Sequence, residues 1–322
     1  MSRVLRHVIE SISPASIAQA EAARRRIALA AVPLLERLAA SLGAAQHSAR
    51  PRVATRKLVI VAGDHGAGDP GISLGASHPT VVAAHAIADG SAAVAHMART
   101  ARTPIVLIDA GVCEPAQMPS VAVALGIDRR PSRNLLVEPA ITIPEAEQGL
   151  EAGIALAISL VDTGLDVMAV GALGVGADVT SAALLAAIVP GRPVIDADPA
   201  ITRAVALGEA AAGTGSLDLL ARFGGPDTAV LAGMFLAAAS MNVPIILDSY
   251  ATGAAALVAA GFAPAVTGYM IAAHAGSLAH LPILRHLGLE PVFDVGLGHG
   301  DGTGAAMIIP LLDQVLGLTT GA

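Results

Sequence analysis

The sequence predicts an α/β protein whose β-sheet is mostly parallel. Five short apolar runs have the continuous hydrophobic character of strands that are buried on both faces. Ala-rich stretches of helical length separate these runs, and strands that alternate with helices form βα units with parallel strands. With 322 residues, 54% of them apolar, the chain can bury a large core, organised as one large domain or as two unequal ones.

The predicted elements follow one another along the chain. Apolar side chains recur at helical spacing between residues 14 and 42, which predicts one or two amphipathic helices, and a polar connector follows at residues 47–56. Five predicted strands come next, each a short apolar run bounded by Gly, Pro or a charged residue. They cover residues 57–62, 104–109, 167–170, 243–248 and 290–295.

The most apolar stretch, residues 229–247, is expected inside the protein and not in a membrane. A membrane span needs about 20 largely apolar residues, whereas Ser240, Asn242 and Pro244 interrupt this stretch. It therefore predicts a buried helix followed by a buried strand. The N-terminal region has no apolar signal core, and the single cysteine, Cys113, excludes an internal disulfide, so we expect a cytoplasmic protein.

The charge balance argues against a nucleic acid as partner. Lys and Arg number 19 against 26 Asp and Glu, which gives a net charge of −7, and the aromatic residues are only four Phe and two Tyr. Phosphate backbones need a basic face, and single strands need stacking rings. A small-molecule substrate is the better expectation, and the 34 glycines suit ligand loops lined by backbone.

Ligands of open parallel sheets collect beyond the carboxyl ends of the strands, so the loops that follow the predicted strands are the candidate sites. All of these loops are rich in Gly or small residues, and most carry a carboxylate close to the strand end. They are residues 63–71 (GDHGAGDPG), 109–115 (DAGVCEP), 171–180 (GALGVGADVT), 248–253 (DSYATG) and 298–304 (GHGDGTG).

Asp64 and His65 lie at the tip of the first predicted strand between two glycines. They could point into a cleft, but the equally weighted alternative is that Asp64 caps a turn and His65 packs in the core. A metal site would need a third ligand, which the nearby sequence does not supply. The spacing of His78, His85 and His96 favours partly exposed helix residues over metal ligands.

Residues 171–180 follow a predicted strand and precede a predicted helix, residues 181–188. Backbone amides at a helix N-terminus, with glycines that permit close approach, form a phosphate cradle. The same pattern also serves as an ordinary turn between a strand and a helix. It is neither a Walker P-loop nor a good dinucleotide fingerprint.

Residues 298–305 place Asp301 and His299 in a glycine frame at the start of a predicted helix, residues 306–315. Either side chain could be a general base whose pKa is set by burial. The alternative, equally weighted, is that Asp301 only caps the helix.

Six segments in this order resemble the nicotinate-nucleotide:dimethylbenzimidazole phosphoribosyltransferase family of cobalamin lower-ligand assembly, and the resemblance covers nearly the whole chain. The segments are GDHG at 63–66, DAGV at 109–112, GALGVGADVTSAA at 171–183, LAGMFLAAA and VPIILD within 231–248, YMIAAH at 269–274 and GHGDGTGA at 298–305. Six ordered matches are far more specific than any one of them.

The resemblance implies a doubly wound, Rossmann-like domain with a six-stranded parallel sheet, a small helical domain formed by both termini, and a homodimer. In this chain the small domain would contain residues 1–50 and the C-terminal helix, residues 311–322. Residues 51–310 would form the α/β phosphoribosyltransferase domain.

The implied reaction moves the ribosyl 5-phosphate of nicotinate mononucleotide onto a benzimidazole nitrogen and releases nicotinate. No metal or cofactor is expected, because the cationic pyridinium is already a good leaving group. The protein would supply a phosphate site, a flat apolar slot for the acceptor, and a base that removes the acceptor's proton.

The chain departs from the family pattern at both glycine-rich loops. Ala172 stands where the family has Glu, residues 177–178 replace an Asn-Thr pair with Ala-Asp, and Asp301 replaces the family's catalytic Glu, with His299 two residues before it. A base shorter by one methylene group can cost about a hundredfold in rate, unless a larger acceptor or proton transfer through His299 restores the distance. Arg203 corresponds to the family's lysine near the phosphate and keeps its positive charge.

The resemblance thus implies a full set of site residues. Asp301 and His299 are the expected catalytic residues. The donor phosphate and ribose are expected to bind Gly174, Gly176, Asp178, Thr180, Arg203, Ser277, Gly302 and Thr303. The acceptor is expected to bind Asp64, His65, Ser77, His85 and Leu173.

Three alternatives stay open from the sequence. The chain could act on another azole, purine-like or phenolic acceptor, as the altered loops suggest. It could bind a nucleotide without catalysis, which the loss of Glu at position 172 favours and the carboxylate at position 301 opposes. It could also be a metal-dependent hydrolase that uses Asp64 and His65.

Overall fold

The computed structural model contains a six-stranded sheet, all of whose paired strands are parallel, with helices on both faces. It describes residues 1–27, 32–68, 71–127, 131–189, 191, 198–277, 279–294, 296–297 and 300–320. The strands are β1 (Arg56–Gly63), β2 (Ile105–Gly111), β3 (Val123–Ala124), β4 (Val167–Leu173), β5 (Ile245–Leu247) and β6 (Met270–Ala272). The predicted α/β class and doubly wound parallel sheet are confirmed.

Helices occupy most of the remaining described chain. They are α1 (Arg3–Ser11), α2 (Ile17–Ile27), α3 (Pro33–Ala45), α4 (Pro79–Asp89), α5 (Ala93–Thr100), α6 (Ile143–Asp162), α7 (Ala177–Ile188), α8 (Pro199–Glu209), α9 (Ser216–Phe223), α10 (Pro226–Ser240), α11 (Tyr250–Phe262), α12 (His280–His286) and α13 (Thr303–Thr320).

The strand order is β3-β2-β1-β4-β5-β6, so the direction of winding reverses between β1 and β4. This is the strand order of the doubly wound dinucleotide-binding fold, in which ligands bind outside the carboxyl ends of the strands at the reversal. Here the register pairs Ala62 with Leu173, so β1 and β4 reach that edge side by side. The loops that follow them therefore start as neighbours.

The continuous apolar character of β1 has a direct structural cause. Val59 and Val61 belong to the hydrophobic core on one face of the sheet, whereas Leu58 and Ile60 belong to the core on the other face. All four side chains are fully buried. Successive strand residues point to opposite faces, so a central strand between two helical layers must be apolar throughout.

The helices of both terminal segments share one of these cores. Leu38 of α3 and Ile309 of α13 pack with Leu58 and Ile60 of β1. Helix α1 lies on the opposite face, where Leu5 and other core residues pack against α6 and α10. The division into a small helical domain and a larger α/β domain stays a prediction.

Two strand assignments from the sequence need correction. The strand predicted at residues 290–295 is wrong, because its described part forms one bridged pair, Phe293 with His274, and a few backbone hydrogen bonds at the end of β6 but no strand of the sheet. Pro291 has no backbone N–H, which limits its use in a ladder. The sixth strand is β6, and the two-residue edge strand β3 was also missed, while the buried helix and strand predicted at 229–247 are confirmed as α10 and β5.

One stretch of the described chain, Pro79–Thr100, is long and apolar enough to be compared with a membrane span. It comprises two helices, α4 and α5. Gly90 ends α4 in a left-handed conformation with φ of 85°, so the 22 residues do not form one continuous rod.

Candidate active site

The loops after β1 and β4 meet at the point where the sheet reverses its winding. A Cβ atom on Gly174 would lie only 1.8 Å from the carbonyl oxygen of Gly63, so these two backbones touch in a way that only glycine allows. The backbone N–H of His65 donates to the carbonyl oxygen of Val175 over 2.9 Å. This contact brings the start of α7 to the carboxyl edge of the sheet.

The N-terminus of α7 is the candidate anion site. Gly176 precedes the helix with φ of 79°, and the first N–H groups of any helix lack partners within the helix. Such groups, together with the helix dipole, attract a phosphate. Thr180 is buried in the first turn, whereas Asp178 is exposed.

Asp64 holds the surrounding loops together. Its Oδ1 accepts hydrogen bonds from the hydroxyl group of Thr80 and from the N–H of Val175, at 3.0 Å, while Oδ2 accepts from the N–H of Cys113 at 2.7 Å. The side chain is 3% exposed. One carboxylate thus joins α4 to the loops that follow β1, β2 and β4, as a buried and fully hydrogen-bonded charge should.

His65 is equally buried, and both of its ring nitrogens have partners. Nδ1 lies 3.0 Å from Oγ1 of Thr180, and Nε2 lies 3.3 Å from Oδ2 of Asp227 in the first turn of α10. Burial by itself lowers the pKa of His65. The nearby carboxylates, above all Asp227 and then Asp64 and Asp178, more than offset it, so the pKa lies above its ordinary value of 6.5.

The last glycine-rich loop crosses directly over the end of β4. A Cβ atom on Gly171 would lie 2.5 Å from the backbone of Asp301, and the N–H of Ala172 donates to the carbonyl oxygen of Gly300 over 2.8 Å. Asp301 is half-buried. Its carboxylate therefore sits at the same edge of the sheet as the start of α7.

Asp301 has one oxygen engaged in its own loop. Oδ1 accepts hydrogen bonds from the N–H of Thr303, at 3.1 Å, and from its hydroxyl group, at 2.6 Å. The capping role that the sequence left open is thus present at the start of α13. Within the described residues no hydrogen bond reaches Oδ2, so this oxygen is available to an acceptor's proton.

Asp248 supports the candidate site, and the sequence analysis did not single it out. It is fully buried at the end of β5, where Oδ2 accepts from the N–H of Gly302 at 3.0 Å and Oδ1 accepts from the N–H of Ala305 at 2.8 Å. These bonds fix the loop that carries Asp301. The available signal was a carboxylate directly after an apolar strand, in a loop already considered a ligand loop.

Several expected acceptor and donor residues lie at or near the protein surface. Ser77 and His85 are exposed, and His85 Nε2 lies 2.9 Å from the carbonyl oxygen of Gln117. Leu173 is half-buried at the end of β4, and Ser277 is exposed after β6. Arg203 is exposed on α8, which packs against α7.

Two further histidines, His78 and His274, lie in the protein interior. His299 lies outside the described residues. His78, expected to be partly exposed, is 3% exposed because it occupies the N-cap position of α4 with its ring near Asp64. His274 is also buried, with Nε2 3.7 Å from Oδ1 of Asp248.

The fold and the site together define a class of protein. A helix N-terminus and the loop that carries Asp301 lie at the same edge of a doubly wound parallel sheet, where its winding reverses. This arrangement is typical of enzymes that act on a phosphorylated nucleotide.

Comparisons with known proteins make the class specific. Residues 10–321 match a family model described as "Phosphoribosyltransferase". A relative from a Roseiflexus species, named nicotinate-nucleotide–dimethylbenzimidazole phosphoribosyltransferase, is 34% identical over 94% of this chain and 91% of its own length. One from Deinococcus radiodurans, with the same name, is 34% identical over 97% of this chain and 91% of its own.

A solved structure shows the same architecture. The crystal structure of the enzyme named nicotinate-nucleotide-dimethylbenzimidazole phosphoribosyltransferase from Thermus thermophilus matches with a TM-score of 0.81 and 28% identity, over 94% of this chain and 95% of that one. The chain belongs to this phosphoribosyltransferase family, and the resemblance stated from the motifs is confirmed.

Proposed function

We propose that this phosphoribosyltransferase moves the 5-phosphoribosyl group of nicotinate mononucleotide to a ring nitrogen of dimethylbenzimidazole or a closely related base. The observation that carries the proposal is the crossing of the Asp301 loop over the end of β4, beside the loop that leads into α7. This crossing puts a base and an anion site at one edge of the sheet.

The chemistry needs one bond formed and one bond broken. The lone pair of an acceptor ring nitrogen forms a bond to C1′ of the ribose, and the bond between C1′ and the pyridinium nitrogen breaks. The released electron pair neutralises the pyridinium, giving nicotinate, and the N–H proton of the acceptor passes to the Asp301 carboxylate. The balance requires no metal and no redox cofactor.

The donor phosphate is assigned to the N-terminus of α7. The backbone N–H groups of Gly174 and Gly176 are assigned to the phosphate, and Thr180 supplies a hydroxyl group. The missing side chains of these two glycines allow their close contacts with Gly63 and Gly68. Asp178, in the first turn of α7, has an exposed carboxylate, and a carboxylate aimed at a phosphate would repel it. Its exposure allows it to face solvent or the ribose hydroxyl groups.

The remaining donor contacts come from three other elements. Arg203 on α8 is assigned as the cation of the phosphate site. Ser277, Gly302 and Thr303 complete the ribose and phosphate contacts from the loops after β6 and before α13.

The acceptor slot is assigned to the surface beside α4. Ser77, His85 and Leu173 are exposed or half-buried there and can contact a base. The burial of Asp64 and His65, at 3% and 4% exposed, favours a role in holding the loops over direct contact with an acceptor. We further propose that the protein is a cytoplasmic homodimer.

The experiment that tests this function is a chromatographic assay with nicotinate mononucleotide and dimethylbenzimidazole that follows nicotinate release and ribotide formation together. Asp301→Asn should lower the rate of transfer by at least about a hundredfold, because the amide cannot accept the proton. Asp294→Asn, an exposed carboxylate on the same segment, is the matched control and should retain the wild-type rate. Equal activity of Asp301→Asn and wild type would contradict the assignment of the base.

A second acceptor class is favoured by Ala172, which is 8% exposed directly beneath the Asp301 loop. Absence of the family's glutamate there leaves one carboxylate fewer at the site. Wild-type protein should therefore also be assayed with purines, other azoles and phenols. Faster transfer to one of these than to dimethylbenzimidazole would reassign the acceptor, and no transfer with tight nucleotide binding would indicate a non-catalytic protein.

A further inference from the structure

His65 joins the starts of two helices at the switch point of the sheet. Its Nδ1 lies 3.0 Å from the hydroxyl oxygen of Thr180 in α7, and its Nε2 lies 3.3 Å from Asp227 in α10. The side chain is 4% exposed and both of its ring nitrogens already have partners, so neither nitrogen is assigned a direct contact with a substrate. Both ring nitrogens of His65 therefore have partners within the protein, and His65 takes no part in the acid–base chemistry proposed above.

The same residue supports the loop in front of α7. The backbone N–H of His65 donates to the carbonyl oxygen of Val175, and a Cβ atom on Gly176 would lie 3.1 Å from the Cβ atom of His65. On the other side of the ring, a Cβ atom on Gly225 would lie 2.6 Å from Cε1. The imidazole therefore fills its space closely and cannot move without moving the loop.

We propose that His65 is a positioning residue for the donor phosphate and that it acts through the hydroxyl group of Thr180. The inference rests on the proposed function, in which residues 174–180 hold that phosphate. It adds a residue that controls donor binding without touching the donor.

The protonation state of His65 decides the direction in which Thr180 donates. When both ring nitrogens carry protons, Nδ1–H donates to Thr180 and Nε2–H donates to Asp227, so the hydroxyl hydrogen of Thr180 is available to a phosphate oxygen. When Nδ1 has lost its proton, it accepts the hydrogen of Thr180 instead. Deprotonation therefore withdraws one hydrogen-bond donor from the phosphate site.

The charged groups that face His65 favour the protonated ring. Carboxylates approach from its own loop (Asp64), from α7 (Asp178) and from α10 (Asp227). The segment bridged to His65 contributes the neutral Ser132. Burial opposes the charge, yet the carboxylates prevail and the pKa of His65 is raised.

A specific pH dependence follows. Donor binding is strongest while His65 is protonated and weakens as the pH rises through its raised pKa. The second ionisation of a phosphate monoester, near pH 6, has the opposite effect on binding. A variant without the Thr180 hydroxyl group keeps the effect of the phosphate and loses the effect of His65, so comparison with wild type separates the two.

The test is calorimetric titration of the full-length protein with nicotinate mononucleotide, and separately with inorganic phosphate, from pH 6 to 9. The wild-type Kd for the mononucleotide should rise about tenfold across the pKa of His65, the effect of one hydrogen bond to a charged group. Asp227→Asn should move this rise to lower pH. Thr180→Val should bind weakly and lack the rise in Kd that follows deprotonation of His65, while Thr180→Ser should retain the wild-type shape of the profile.

Turnover with dimethylbenzimidazole is measured on the same samples. The inference predicts that Asp227→Asn raises KM for the donor more than it lowers kcat. Binding with the expected pH profile but without ribotide formation would support the role of His65 and contradict the proposed function alone. Folded Asp227→Asn and Thr180→Val proteins that keep the wild-type pH profile would overturn the inference.

A measurement on the wild type covers the case in which these variants do not fold. Nitrogen NMR of histidine-labelled protein reports ring protonation directly, and the His65 signals are assigned by their shift in Thr180→Ser. The His65 ring is expected to lose its second proton at a pH above the ordinary value of 6.5. A ring that loses this proton below pH 6.5 would overturn the inference even if Asp227→Asn and Thr180→Val do not fold.

Discussion

Asp301 has one carboxylate oxygen in a structural role and, under the proposed function, the other in catalysis. Oδ1 accepts hydrogen bonds from the N–H and hydroxyl groups of Thr303, which forms a short side-chain-to-backbone turn from Asp301 to Thr303 at the start of α13. Asp and Asn form this turn well because their side chains reach the backbone two residues on, which the longer Glu does less readily. The aspartate therefore suits the helix start, and Oδ2 is left for the proposed role as a base.

The two tasks separate in a stability measurement. Asp301→Ala should lower the free energy of unfolding by about 1 kcal/mol, because the first N–H group of α13 loses its partner. Asp301→Asn keeps an accepting oxygen and should stay within about 0.5 kcal/mol of wild type. Urea denaturation at neutral pH compares them, with Asp294→Ala as the control. Equal stability of the Ala and Asn variants would show that this turn contributes nothing measurable.

At the scale of elements, α6 illustrates how one charged residue supports both a helix and a loop. The hydroxyl group of Thr142 accepts from the N–H of Glu145, and the carboxylate of Glu145 accepts from the N–H of Thr142, which forms a capping box. Arg133 adds a bidentate ion pair at 2.8 and 3.2 Å. The hydrogen bond from Arg133, with the bonds from Thr142, lowers the pKa of Glu145 to about 2.

This lowered pKa predicts how stability depends on pH. Because the folded state favours the ionised carboxylate, the stabilisation is complete above the unfolded pKa of Glu145 and is lost as the pH falls towards 2. Glu145→Gln keeps the capping box but loses the charge, so it should be less stable than wild type by about 1–2 kcal/mol at pH 7, after allowance for solvent screening.

The difference should disappear near pH 2, where Glu145 in the wild type becomes protonated. Urea unfolding at pH 7 and at decreasing pH measures it. Glu151→Gln, on the same helix but outside the capping box, is the matched control. A gap between Glu145→Gln and wild type that is as large at low pH as at pH 7 would contradict the electrostatic cause.

At the scale of the whole molecule, what could be predicted depends on how local its cause is. The central strand β1 was predictable because burial on both faces requires a continuous apolar run, whereas β6 and β3 are too short for a pattern to establish. The loops at the site were predictable as glycine-rich turns after strands. The partners of His65 were not, since Asp227 lies 162 residues away and meets it only after the sheet has formed.

Helix α13 connects the two ends of this sheet. Its first turn lies at the carboxyl edge beside β4, and its second half reaches Arg56, the first residue of β1. The guanidinium of Arg56 pairs with both carboxylate oxygens of Asp313, with Nη2 3.0 Å from Oδ2, and also donates to the carbonyl oxygen of Ala101. Its side chain is only 10% exposed, so most of this charge has left water.

This geometry predicts that stability and catalysis separate along α13. Asp313→Asn leaves the largely buried Arg56 without its carboxylate and should lower the free energy of unfolding by about 1–2 kcal/mol. The loss stays this small because Asp313 itself is half-exposed. The melting temperature should fall by about 2–5 °C. At 25 °C, kcat and KM for nicotinate mononucleotide should stay within about twofold of wild type, because the substitution is remote from the Asp301 loop.

The control is Asp162→Asn, which replaces an exposed carboxylate at the end of α6 and should change neither stability nor catalysis. A large loss of kcat in Asp313→Asn without loss of stability would mean that the nine residues between Thr303 and Asp313 move as a unit and transmit a change at Asp313 to the site.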